Sequence, residues 1–201
     1  MDAVGILGLA ASVSLLAGWR LYLCVFAVGL AMHFGWAPLP AQLHSLDVLA
    51  NWWVIGAAGI GALAEFFADK VMWVDSIWDT VHTLVRPIGG ALLSLAIVDP
   101  KSAQWQVVAL LLGGGAALLT HGAKASTRAA VNASPEPFSN VAVSSTEDVA
   151  TITLLVGALA NPYIAVTVAV VVAVFAVILL VMIRRFVRDV FGSRRKQPPA
   201  A

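Results

Sequence analysis

The chain has 201 residues, 60% of them hydrophobic and only 11% charged, with a formal net charge of +1. So few polar side chains could not cover the surface of a soluble domain of this size, and a balance near neutrality gives no case for nucleic acid as a partner. The composition places the chain in the bilayer as an all-α, polytopic membrane protein.

The first apolar run, residues 3–36, is too long for one span and is interrupted at "GWR", Gly18 to Arg20. It lacks a basic region at its start, so it reads as a retained segment rather than a cleaved signal. Two arrangements follow from it. A hairpin at Arg20 gives seven spans with the N-terminus outside; a kinked single span with Arg20 inside the protein gives six, with the N-terminus inside. Leu49 to Ala68 and Gln106 to Gly122 come close to the ~20 residues that a bilayer core of roughly 30 Å requires, and Tyr163 to Ile183 is a full span. Residues 88–98 and 149–160 are short, the second stopped at "ANP" by Pro162. The breaks at "GWR" and "ANP" are candidates for the paired helix interruptions around which transporters build a site. In the seven-span arrangement Arg20, Lys70, Arg86, Lys124, Arg128 and the tail "RRFVRDVFGSRRK" share one side and only Lys101 the other. The positive-inside rule makes that shared side cytoplasmic. The expected organisation is one transmembrane domain over residues 1–187 and a basic cytoplasmic tail over 188–201 with a disordered end.

Charge is concentrated in two stretches. In "EFFADKVMWVDSIWDTVHTLVRP", residues 71–86 form a helix with Asp75, Asp79, His82 and Arg86 on one stripe, at spacings of four, three and four. Glu65 and Asp69 form a similar stripe at the end of the preceding span, and Lys70 follows them. Residues 71–86 fit an amphipathic helix on the cytoplasmic surface, with Ser76 and Asp79 as a capping box, or a helix whose stripe turns inward to line a polar cavity. Acidic groups are unfavourable against an anionic leaflet, which favours the inward orientation.

The second stretch, "THGAKASTRAAVNASPEPFSNVAVSSTED", carries the basic stripe His121, Lys124 and Arg128, then Glu136 and Asn140. Ser144 with Glu147, or Ser145 with Asp148, would cap the next helix. Salt bridges from Asp75 or Asp79 to Lys124 or Arg128 are the simplest way to join the two stretches. Cys24 is the only cysteine, so there is no internal disulfide, and HExxH, GxSxG and Walker motifs are absent.

"AGWRLYL", "FFADKVMWVDSIWDTVHTLVRPIGGAL", "HGAKASTRAAVNASPEPFSN" and "STEDV" together resemble a bacterial integral-membrane family catalogued as domain of unknown function 4126. The resemblance implies a multi-pass protein of the bacterial inner membrane and carries no catalytic residue. The expected function is a small transporter or channel for a cation or proton-coupled polar solute, with a charged cytoplasmic vestibule. Its candidate residues are Arg20, Glu65, Asp69, Lys70, Asp75, Asp79, His82, Arg86, His121, Lys124, Arg128, Glu136 and Asn140. A chain of this size offers few helices to surround a path, so a homo-oligomer, a dimer first, is expected. Two alternatives stand beside it. One is a membrane enzyme acting on a lipid head group, with Asp75, Asp79, His82, His121 and Glu136 around a divalent metal and Lys124 and Arg128 on a phosphate. The other is a structural membrane protein whose charges only pair with each other.

Overall fold

The computed structural model describes residues 2–36, 47–98, 103–133 and 137–194. Six α-helices make up these residues: α1 (Ala3–His33), α2 (Trp52–Ala68), α3 (Met72–Val98), α4 (Ala103–Asn132), α5 (Pro137–Ala160) and α6 (Pro162–Arg194). Five of them are long and apolar enough to cross a membrane; α2 is a shorter apolar helix. The protein is a helical, multi-pass membrane protein.

The helix starts follow from local chemistry. The Asp2 carboxylate accepts from Gly5 N at 2.9 Å and the Asn51 side chain from Trp53 N at 2.8 Å, each satisfying a donor that a helix N-terminus leaves open. Asn161 does the same for Tyr163 N at 2.8 Å, with Pro162 in the first helical position, where its missing N–H costs nothing.

Helix α1 lies at the centre and packs against every other helix. It breaks at Arg20, whose φ of −141° and ψ of 75° are not helical. Gly8 abuts Val166 at the start of α6, whereas Leu30 and Ala31 share a cavity wall with Leu159 and Ala160 at the end of α5. Only Asn161 separates α5 from α6, so both ends of α1 lie at one end of the molecule. The arms, residues 3–19 and 21–33, therefore fold back on each other with Arg20 at the apex. At 1.5 Å per residue they reach only about 25 and 20 Å, short of a full hydrocarbon core. "GWR" is thus a hairpin apex, and its arginine is also inside the protein. The two breaks expected to pair do not meet: Asn161 is an end turn opposite the apex.

The structure corrects three other segment readings. Residues 71–86 and 88–98 are not a surface helix and a separate short span; they are one helix, α3, which runs through Pro87. Ser76 is accordingly inside a helix, donating to Met72 O at 3.0 Å rather than forming a cap. Ser144 and Ser145 are also helix-interior residues, because α5 begins at Pro137. Helix α6 continues to Arg194.

Glycine permits the close crossing of α3 and α4. A Cβ on Gly90 of α3 would stand 2.5 Å from Ala117 Cβ, and one on Gly113 of α4 would stand 2.6 Å from Gly90 O. Small residues at such points let membrane helices approach closely. Lipid-facing positions carry large apolar side chains, among them Ile77, Leu84, Leu111 and Val171.

Candidate functional site

The sequence stripe on α3 turns inward. Asp75, Asp79, His82 and Arg86 are buried along with Gly90, Leu93, Ser94 and Ile97, while Trp73, Ile77, Val81 and Leu84 face outward. The α4 stripe of His121, Lys124 and Arg128 is buried opposite it. With the α1 apex, the end of α2 and the first turns of α5, they form one charged cluster inside an otherwise apolar bundle.

Asp69, just after α2, is the hub. Its carboxylate pairs with Arg20 and, at 2.6 Å, with Lys124 Nζ, and its backbone carbonyl accepts from Arg128. Burial works against ionisation of Asp69, but the charges of Lys124 and Arg20 more than offset it and hold the carboxyl below its ordinary range. The Arg20 guanidinium reaches α5 as well, with Nη2 at 3.0 Å from both Ser144 O and Asp148 Oδ1. A planar fork serving two helices at once suits arginine and not lysine. Lys70 reaches Asp148 at 3.3 Å and lies over the Phe66 ring, 3.4 Å from its centre.

Deeper along α3, Arg86 joins three elements. Its Nη2 is 2.7 Å from Glu65 Oε1, and Nη1 is 3.0 Å from Asp79 Oδ1 and 2.7 Å from His121 Nδ1. Arginine only donates, so His121 Nδ1 accepts; that assigns a neutral imidazole whose Nε2 donates to Thr83 Oγ1 at 3.1 Å. His82 is fixed in a similar way. It donates through Nδ1 to Trp78 O at 2.7 Å, leaving Nε2 to accept from Tyr22 OH at 3.0 Å. Nearer the end of the bundle, Arg128 Nε lies 3.1 Å from both Asp75 oxygens, and Asn132 Nδ2 adds a contact of 2.6 Å to Oδ2.

Twelve of the thirteen candidate residues are therefore described, and each has a place in this cluster; Glu136 lies outside the described residues. Asn140 contributes its backbone carbonyl, 3.0 Å from Arg128 Nη1, while its side-chain amide has no hydrogen-bond partner among the described residues. The expected Asp75–Arg128 bridge is present, and Lys124 lies 3.9 Å from Asp79 Oδ1. The sequence reading assigned Glu147 and Asp148 only to capping. Both join the cluster, and the signal was there in their adjacency to Ser144, one helical turn from a common face. Tyr22 had no signal beyond its position in "AGWRLYL".

Six carboxyl groups (Glu65, Asp69, Asp75, Asp79, Glu147, Asp148) face five cations (Arg20, Lys70, Arg86, Lys124, Arg128), a formal excess of one negative charge with every carboxyl ionised. Several polar atoms in it have no hydrogen-bond partner among the described residues, notably Glu65 Oε2, Asp79 Oδ2, Arg20 Nε and Arg86 Nε. Two cavities flank it. One, of about 230 Å³, lies between α3 and α4 and is lined by Asp75, Asp79, Thr83, Arg128 and Asn132. The other, of about 400 Å³, lies between α1, α2 and α5 and has Arg20, Glu65 and Asp148 on its wall. Arg86 connects the two, since it holds Asp79 on one side and Glu65 on the other.

Fold and site together define a multi-pass helical membrane protein with a buried, mixed-charge cluster at a helix break. The family described as a domain of unknown function, DUF4126, matches residues 7–182, and the chain belongs to it. No curated protein and no solved structure gives a significant match.

Proposed function

We propose that the protein is a small transporter or channel for a cation or a proton-coupled polar solute. The observation that carries this reading is Arg86, a buried cation shared between two carboxylates that each border a different cavity. Ionisable groups at membrane depth commonly mark ion or proton pathways. The cavity with Asp75 and Asp79 is the vestibule. Release of Arg86 from Asp79 or Glu65 exposes a carboxylate that takes a proton or cation in its place, and re-pairing expels it.

The topology of this reading has seven membrane-entering segments, the two α1 arms followed by α2 to α6. The vestibule and the basic end of α6, with Arg184, Arg185 and Arg188, share one side, which the positive-inside rule makes the cytoplasm of a bacterial inner membrane. A dimer encloses the path, with the exposed apolar helix faces available for contact.

Proteoliposomes loaded with a pH-sensitive dye test the proposal, with imposed H⁺, Na⁺ and K⁺ gradients. Wild type is expected to dissipate at least one gradient, and Glu65→Gln and Asp79→Asn to lose that flux while still eluting as folded protein. Flux equal to wild type in both variants removes the carboxylates from the pathway.

The lipid head-group enzyme has less support. Among the described residues, no three His, Cys, Asp or Glu side chains gather as a metal site, and the carboxylates it would use are held by cations.

A further inference from the structure

The larger of the two cavities has a chemistry of its own. Phe26, Leu63, Phe66 and Ile152 form its walls, and Arg20, Glu65 and Asp148 its polar base. Leu63, Phe66 and Ile152 are also exposed on the outer surface of the bundle, so the mouth opens sideways, toward acyl chains, and not at the end of the molecule. A void lined by apolar walls with one charged end accepts a molecule built the same way.

The base specifies the sign of that charged end. The terminal nitrogens of Arg20 are committed to Asp69, Asp148 and Ser144, and only its Nε lacks a hydrogen-bond partner among the described residues. Glu65 is different: its side chain is 1% exposed, Oε1 is held by Arg86 and Oε2 has no hydrogen-bond partner among the described residues. A buried carboxylate oxygen without a donor is costly, and a charged N–H donor relieves that cost best. The cluster behind it has one carboxyl group more than it has cations. A single positive charge bearing hydrogens, attached to an apolar body, meets both requirements.

We propose that this lateral cleft binds an amphiphilic primary amine, its ammonium donating to Glu65 Oε2 and its apolar chain lying between α2 and α5. The proposal names a solute class for the transport reading and rests on it, but binding is measurable without flux. Inorganic cations satisfy the charge and leave the apolar walls unused. Fatty acids use the walls and bring the wrong charge.

The test is equilibrium binding of radiolabelled decylammonium to the full chain in lipid nanodiscs, with decanoate and decanol as competitors. Wild type is expected to bind saturably above the empty-nanodisc background, with neither competitor displacing it. Glu65→Gln is expected to bind about tenfold or more weakly, the factor that loss of a charge-assisted hydrogen bond carries. Ala62 also lines the cleft, so Ala62→Trp fills it without replacing a charge and is expected to abolish binding, which keeps the test decisive if the first variant fails to fold. Displacement by decanoate, binding unchanged in Ala62→Trp, or no saturable binding in wild type overturns the proposal. Saturable binding with no flux of any kind would overturn transport and leave the site standing; ion flux without amine binding would do the reverse.

Discussion

The Asp75–Arg128 pair offers the clearest energetic test of the cluster. Both residues are at most 1% exposed, and three nitrogen–oxygen distances of 3.0–3.1 Å join them. Asp75→Asn keeps the size of the side chain and leaves Arg128 as a buried cation with neutral acceptors alone, the new amide oxygen and the carbonyls of Asp69 and Asn140. Breaking a buried pair from one side costs about 3–5 kcal/mol. Arg128→Met strands the Asp75 carboxylate with Asn132 alone and is expected to cost about the same. The double variant removes both charges together. Its cost is expected to fall about 2–3 kcal/mol short of the sum of the singles, because the uncompensated charge that dominates each single variant is gone. Detergent titration with sodium dodecyl sulfate in mixed micelles, followed by accessibility of Cys24 to a maleimide, measures all four states. Additivity within about 0.5 kcal/mol would show that the two side chains do not act as a pair and would refute the argument.

Two further outcomes are expected. Gly113→Val at the α3–α4 crossing should destabilise by about 1–3 kcal/mol, since its side chain meets Ser94 and the Gly90 carbonyl, whereas Gly115→Ala, with nothing within 4 Å, should be neutral or gain up to about 1 kcal/mol of helix propensity; unfolding midpoints of the two variants decide it. Cys24, fully enclosed, should resist a membrane-permeant maleimide in the native protein and react on unfolding, and rapid labelling of the native protein would contradict the packing of the second α1 arm.

Much of the site was legible because helical spacing is local. The four, three, four pattern of Asp75, Asp79, His82 and Arg86 marks one face without knowledge of any neighbour, and the sign of its charges argued that the face turns inward. The partners were not legible in the same way. Arg20 meets Asp69 and Asp148, far along the chain, and nothing in the spacing of "GWR" announces which helices will surround its apex. Proline and serine misled for a shared reason. The division between residues 71–86 and 88–98 falls at Pro87, and Ser144 reads as a cap by the rules of water-exposed helices, but at membrane depth a backbone group outside a helix has no solvent to turn to, so helices continue through such residues. Segment boundaries suffered most from this, and the charged stripes least.

The remaining question is whether the cluster is only glue. Mutual pairing explains most of it: Asp75 with Arg128, Asp69 with Lys124 and Arg20 with Asp148 tie α1, α2, α3, α4 and α5 together at one level. A network selected only for cohesion should leave few buried polar atoms unpaired, because each costs about 1–3 kcal/mol and apolar residues could hold the helices without that cost. Among the described residues such atoms extend from Arg20 Nε and Asp69 Oδ1 to Ser139 Oγ and Thr151 Oγ1, and three of them share one place. Glu65 Oε2, Asp79 Oδ2 and Arg86 Nε belong to the three residues that link one cavity to the other. Strain placed where two cavities meet is what a site that exchanges partners requires, because each unsatisfied atom lowers the cost of letting go of Arg86. Most of the charge in this part of the chain closes the bundle, and on the transport proposal the part left unsatisfied is where the bundle accepts something else.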